Sequence, residues 1–386
     1  MIKLRWKDRW LQFVSVEWSG TDTQCSRQIQ FTIPWNPYSK GSMNPTIALG
    51  DLMYLYDGTK QLFVGTVTAR EKTAEVGTVT YTAMDFMHHL LRSNASYTFR
   101  NTTPEKIARK VCGDLKIKTE NLASTKTNIP KLFFEDKPIY DILVAAYRKA
   151  NAKTGKKYMP AMSGKKVTVI QKGKPSGVRL QQGADITDAA YTDTVDGMVN
   201  SVNIYNEKRK RLGTVQNRKA VEKYGVYQQT YRKEKGANAK KEAKALLAGI
   251  TKEATVEAIG NVKAISGYSI EICDKAAGLS GTFYITGDTH TFSDGVHTMS
   301  LELAWKNEME TGAETEEDSG KKELRNNAKC YYLEGASTYH SSASCSACKG
   351  KSAVESTVSE MKKIKIERGK NKGKRKYKAC SKCWMT

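Results

Sequence analysis

Alternating apolar and polar positions dominate the first hundred residues. Leu11–Trp18 alternates in part and Arg27–Ile33 cleanly, and both are rich in the β-branched and aromatic side chains of half-buried strands. Asp51–Gly58 and Leu62–Thr68 follow, with Asp57-Gly58 as a hairpin signal. Thr78–Ala83 adds another strand, and Asp85–Leu91 reads as a short helix. The pattern predicts a compact antiparallel barrel or sandwich over residues 1–100.

The period changes near residue 102. Thr103-Pro104-Glu105 supplies an N-cap, a first-turn proline and an acid placed well for the helix dipole, and Ile107, Val111 and Leu115 stand at helical spacing. A second helix is predicted after Asp136-Lys137-Pro138, with Ile139, Leu143, Ala146 and Tyr147 on one face, and Lys166–Gln171 reads as a strand. Residues 101–184 are therefore expected to form a small α+β insert. Strands return over 185–305: Met198–Tyr205, Gly225–Tyr231, Val256–Ile259, Tyr268–Cys273, Gly281–Thr286 and Thr298–Leu303, with a helix over Asn238–Leu247. The fold class expected is mainly β with an α+β insert, the two β regions being similar in size and hairpin content.

Charge refines the boundaries. The net charge of +23 is uneven: residues 361–386 hold eleven Lys/Arg against one Glu, nearly half of the excess. Residues 307–319 hold six acidic and no basic residues, so 306–327 is predicted to be an acidic linker. No apolar run approaches the ~20 residues that span a bilayer, and the start carries no apolar leader, so folding in a cytoplasm is expected.

Beyond that linker, residues 328–386 hold five of the eight cysteines, four of them as Cys345-x-x-Cys348 and Cys380-x-x-Cys383, with His340 just upstream. Such pairs can close a tetrahedron around Zn²⁺. Two ligand sets compete: Cys345, Cys348, Cys380 and Cys383, or His340, Cys345, Cys380 and Cys383. Either set comes from one short segment, so the expected role of zinc is structural. Cys25, Cys112, Cys273 and Cys330 are unpatterned and read as buried thiols. His290 and His297 flank the Asp294-Gly295 turn and read as satisfied strand positions rather than metal ligands. No Gly-x-Ser-x-Gly, His-Glu-x-x-His or phosphate loop occurs, and no enzymatic role is expected.

Several segments carry a family resemblance: Val16–Gly20, Leu49–Asp51 with Val64-Gly65, Tyr81–Asp85, Phe99–Glu105, Ile107-Ala108 with Cys112, and Phe283–His290 running to Gly295–Leu303. On these, residues 1–305 resemble the hub proteins of contractile phage tails and tailocins, nearest the PBSX-prophage branch and more distantly the late control protein D group. The resemblance implies two tail-tube-like β-barrel domains, 1–100 and 185–305, flanking the insert. It also implies a homotrimer whose six β domains ring a lumen and adapt the sixfold tube to a threefold spike. The implied partners are the tail tube or its initiator, the central spike, and tape-measure and baseplate wedge proteins, with possible DNA passage through the lumen. The implied place is the virion or tailocin baseplate.

The segment from Tyr339-His340 to Cys380–Trp384 resembles small Ada-like zinc cassettes. That resemblance favours His340, Cys345, Cys380 and Cys383, although Ala379 stands where such cassettes carry proline. An alternative function from another class is a zinc-dependent DNA-binding or nuclease-accessory protein acting through this basic module.

Overall fold

In the computed structural model, the described residues are 1–38, 44–73, 77–233, 238–310, 312, 322–323, 329–334, 336–342, 345–346, 348, 352–365, 376–380 and 384–385. They divide into two compact units. One comprises 1–96, 101–130 and 135–314, and the other 97–100, 131–134 and 315–386.

The larger unit begins with seven strands: β1 (Ile2–Trp6), β2 (Arg9–Leu11), β3 (Ser15–Thr21), β4 (Gln28–Trp35), β5 (Leu52–Asp57), β6 (Lys60–Glu71) and β7 (Gly77–Met84). All pair antiparallel, in the order β3-β4-β7-β6-β5-β1-β2. Alternate positions such as Ile29, Phe31 and Ile33 of β4 point inward, onto a core that includes Leu4, Val16, Met53, Leu55 and Tyr81. The Asp57-Gly58 turn closes β5 on β6 as the dipeptide predicts.

The motif glycine Gly65 has a steric reason. A Cβ there would stand 2.2 Å from the Met84 carbonyl oxygen and 2.5 Å from the Phe63 ring. Backbone cannot yield as a side chain can, so Gly65→Ala is expected to lower the unfolding free energy by about 1 to 3 kcal/mol in urea titrations.

The insert follows as α1 (Met87–Arg92), β8 (Asn94–Thr102), α2 (Pro104–Asp114), β9 (Thr119–Leu122), β10 (Ile129–Pro138), α3 (Ile139–Thr154), β11 (Tyr158–Ser163) and β12 (Lys166–Gln171). Thr103 caps α2 by accepting from the Lys106 N–H, with Pro104 in the first turn. Gly155, left-handed at φ 72°, ends α3. Helices α2 and α3 pack together, and Ile107, Val111, Leu143 and Tyr147 on them are buried.

The second β half holds β13 (Pro175–Gln181), β14 (Ile186–Thr194), β15 (Ser201–Tyr205), β16 (Arg211–Gln216), α4 (Arg218–Tyr224), β17 (Gln228–Arg232), α5 (Ala239–Ala245), β18 (Thr251–Ile259), β19 (Ser269–Asp274), β20 (Leu279–Ser293) and β21 (Val296–Ala304). Strands β13, β14, β18, β19, β20 and β21 enclose a second core around Val256, Ile270, Leu279, Ile285 and Leu301. Val178 and Leu180 of β13 belong to this core, although the sequence places that strand in the insert. Strands β16-β15-β17 form a separate three-stranded sheet packed on α5 through Val202, Ile204, Val215, Tyr231 and Ala243.

The sequence leads one to expect two separate β domains, yet one 13-stranded sheet runs through both halves. The reason is β20, which is 15 residues long and pairs antiparallel with β19 over Leu279–Tyr284 and with β3 over Gly287–Ser293. The register shifts between Ile285 and Gly287, where the strand changes partner. A Cβ at Gly287 would stand 2.6 Å from Oε2 of the exposed Glu302 side chain, which would have to swing away.

The expected acidic linker is only partly one. Asn307 Nδ2 donates to the Lys172 carbonyl (2.9 Å), Lys172 Nζ donates to the Glu308 carbonyl, and Glu310 accepts from Tyr140 Oη (2.6 Å) and Gln24 N–H (3.2 Å). Its first residues are a strap tied down by buried donors that the composition does not reveal. Residues 311 and 313–321 lie outside the described residues.

The smaller unit contains β22 (Lys322–Glu323), β23 (Lys329–Tyr332), β24 (Thr338–His340), β25 (Val354–Thr357), α6 (Val358–Lys363), β26 (Lys378–Ala379) and β27 (Trp384–Met385). The order β25-β23-β24-β26 makes its main sheet, and β22 pairs with β27. A capping box between Thr357 and Glu360 starts α6.

Candidate functional site

Within the smaller unit, the parallel pairing of β24 with β26 sets Tyr339 opposite Ala379, which brings the following residues, His340 and Cys380, side by side. The Cys380 N–H donates to the Tyr339 carbonyl at 3.0 Å. Cys345 sits in the turn after β24, its N–H donating to the Ser342 carbonyl. The ligand atoms of His340, Cys345 and Cys380 all lie within 4.8 Å of one another. That spread suits one ion held at about 2.0 to 2.3 Å by imidazole and thiolate.

His340 and Cys380 are buried, and burial holds the His340 imidazole below its ordinary pKa, in the neutral form a metal needs. Thr338 Oγ1, 3.2 Å from His340 Nε2, helps orient the ring. Cys348 is buried nearby and its N–H donates to the Cys345 carbonyl, but it is not a member of the three-residue group. Cys383 lies outside the described residues. Cys330 lines the small core beneath with Tyr339, Val358, Met361 and Tyr377. One imidazole and two thiols form a soft N/S donor set that fits zinc.

A second constellation sits where β20 meets β3. The Arg27 guanidinium grips Asp288 with both terminal nitrogens and lies 4.2 Å over the Trp18 ring. The Asp288 side chain is fully buried, and it also accepts from the Ser266 N–H at 2.7 Å. Burial alone would raise the Asp288 carboxyl; Arg27 outweighs it and holds the group well below the usual carboxylate range.

His290, also fully buried, lies 3.1 Å from the Ala264 carbonyl through Nε2 and 3.0 Å from His297 Nε2 through Nδ1. Those partners make a hydrogen-bonded histidine pair, as the sequence reading expects of these two positions, and His290 Nε2 also lies 3.4 Å from Asp288 Oδ2. Burial, with His290 beside it, pushes the His297 imidazole down to about 4. Asp85 accepts from Ser26 Oγ and from the Arg27 and Met87 N–H groups, which fixes the loop that carries Arg27.

Nothing in the local sequence marks Asp288 for a long-range partner. The structure places it mid-strand, in a long-range ion pair spanning 261 residues of chain. A third buried cluster, also missed, gathers Cys25, Tyr140, Glu310, Asp22 and Lys172. Tyr140 Oη bridges Cys25 and Glu310, and Lys172 pairs with Asp22. Burial pushes the Cys25 thiol up to about 12 and raises Glu310 as well, so this thiol is inert.

The fold that carries these features is that of phage tail proteins. A 43 kDa tail protein of prophage MuSo2 from Shewanella oneidensis superimposes with a TM-score of 0.61 over 78% of this chain and 97% of that one, at 13% identity. A tail protein from Neisseria meningitidis gives 0.56 over 78% and 95%, also at 13% identity. By sequence the chain belongs to the YQBQ-like family, whose model matches residues 16–304. The phage-like element PBSX protein XkdQ of Bacillus subtilis is 28% identical over 316 residues, covering 78% of this chain and 96% of that protein. Among the described residues, no helix is long and apolar enough to cross a membrane.

Proposed function

We propose that this chain is a structural component of a phage-like contractile tail and serves as its baseplate hub. Three copies would close into a ring with six tube-like β halves around a lumen, matching the sixfold tube above to a threefold spike below. The observation that supports this most is the β3–β20 pairing, which puts two β cores of similar size on one sheet within one chain. The sheet path ends at β14 and β2, edges that neighbouring subunits in a closed ring would cover. Tail tube, spike, tape-measure and wedge proteins are the partners this role requires. Residues 328–386 would then be an appendage stapled by zinc through His340, Cys345, Cys380 and Cys383, outside the part that matches the family.

Disrupting the β junction should abolish tail assembly, while Cys380→Ser should leave tails intact. Electron microscopy of particles produced with each variant in place of the wild-type chain measures this. Intact tails with Asp288→Ala and lost tails with Cys380→Ser would instead favour a function lodged in the C-terminal module.

A further inference from the structure

Residues 201–250 hold thirteen Lys/Arg against four Asp/Glu, a net charge of +9 in about an eighth of the chain. The structure concentrates these charges on the small β16-β15-β17 sheet and its two helices. Lys208, Arg209 and Lys210 form the tip between β15 and β16, and Arg218, Lys219 and Lys223 lie on α4, a helix with no buried residue. All twelve described cations of this segment are exposed, and among the described residues none forms an ion pair. This excess is not spent on holding the subdomain together.

The sheet is two-faced. One face packs on α5 through Val202, Ile204 and Ala243. On the other face the register sets Ser201 between Gln216 and Gln228, Asn203 between Thr214 and Thr230, and Tyr205 between Arg211 and Arg232. These side chains are polar and none is acidic; Ser201 and Asn203 of the central strand are buried between their neighbours, which leaves Arg211, Thr214, Gln216, Gln228, Thr230 and Arg232 as the exposed ones. Arg211 Nη2 is aligned along this face by Asn203 Oδ1 (2.8 Å) and Thr214 Oγ1 (2.6 Å).

A protein partner would need apolar anchors at the centre of its footprint, and the exposed apolar side chain on these strands is Leu212, on the edge strand β16 beside Arg211. The exposed Arg, Lys, Gln and Thr donors are instead of the set that contacts phosphate and sugar oxygens. We infer that this subdomain is a sequence-independent docking surface for the phosphate backbone of duplex DNA. The surface is defined by its own charge and register and does not depend on the hub reading.

The test uses the full-length protein and a fluorescein-labelled duplex of random sequence, with anisotropy measured across a salt series. The wild-type protein should bind, with log K falling linearly in log salt. K208E/R209E/K210E should weaken binding at least tenfold and reduce the magnitude of the slope by about 2 to 3, since each phosphate no longer neutralised lowers it by about one. R218E/K219E should act in the same direction, whereas K362E/K363E, in the C-terminal module, should have little effect. Circular dichroism confirms that each variant is folded. Wild-type affinity and slope in K208E/R209E/K210E would overturn the inference. So would a surface that binds a labelled poly-glutamate chain and not the duplex.

Discussion

Asp288→Ala is expected to lower the unfolding free energy of the larger unit by about 3 to 5 kcal/mol, because it leaves the Arg27 guanidinium buried without its counter-ion. That is a large share of the roughly 5 to 15 kcal/mol by which a domain is stable. The loss exceeds a surface pair's because the Asp288 side chain is wholly buried and that of Arg27 only 18% exposed, so water cannot replace the missing partner. Asp288 also accepts from the Ser266 N–H, which truncation would strand. A double change, R27M/D288L, should recover much of the loss, since it removes both charges and keeps apolar volume. A purely steric role for Asp288 predicts no such recovery.

The same pair gives a pH signature. The Asp288 carboxyl is depressed in the folded chain relative to about 4 in the unfolded one. Its contribution is therefore fully present above the unfolded value and drains away as pH falls toward the folded one. The difference in thermal midpoint between wild type and Asp288→Asn should be constant near neutrality and narrow below about pH 4. His297 adds a milder loss at higher pH. Its imidazole is held near 4 when folded, so stability falls as pH drops from about 6.5 through that value.

The second large effect concerns the metal. Purified protein is expected to carry one zinc per chain, and a strong chelator should unfold residues 329–385 while the larger unit keeps its own unfolding transition. Among the described residues, the apolar core of the smaller unit has Cys330, Tyr339, Val358, Met361, Tyr377 and Cys380 as its buried members. For so small a core, metal binding supplies much of the folding free energy, and zinc-finger peptides gain about 10 to 16 kcal/mol from it. His340→Ala and Cys380→Ser should each abolish the bound zinc, read by elemental analysis, whereas Cys348→Ser should retain it. Zinc retained in His340→Ala and lost in Cys348→Ser would restore the all-cysteine set. Zero zinc in the wild type would remove the centre altogether.

Local chemistry makes part of this fold legible. Thr103-Pro104-Glu105 starts a helix and Asp57-Gly58 closes a hairpin because caps and tight turns depend on neighbours in sequence. Pairing between distant strands leaves no such trace. Strand β20 reads as a short strand ending at Thr286 because Gly287-Asp288 resembles a turn; only its register with β3, far away in the chain, extends it to Ser293. Helix α4 escapes a sequence reading because it buries no residue and so has no apolar stripe.

At the sites, ligand spacing foreshadows the clustering of His340 with Cys345 and Cys380. The Arg27–Asp288 pair and the Tyr140–Glu310 bridge join segments 261 and 170 residues apart, beyond the reach of any spacing rule. Asp288 and His290 nevertheless lie in the Phe283–His290 stretch that helps carry the family resemblance, and the buried ion pair with Arg27 is a physical reason for the aspartate there.

Imaging the assembled native tail at a resolution that traces this chain tests the central claim most directly. The hub account predicts three copies in a closed ring between tube and spike, with six β halves around the lumen, each copy contributing both halves of its continuous sheet. A single copy at that position, or a ring with three β halves at the lumen, would contradict it.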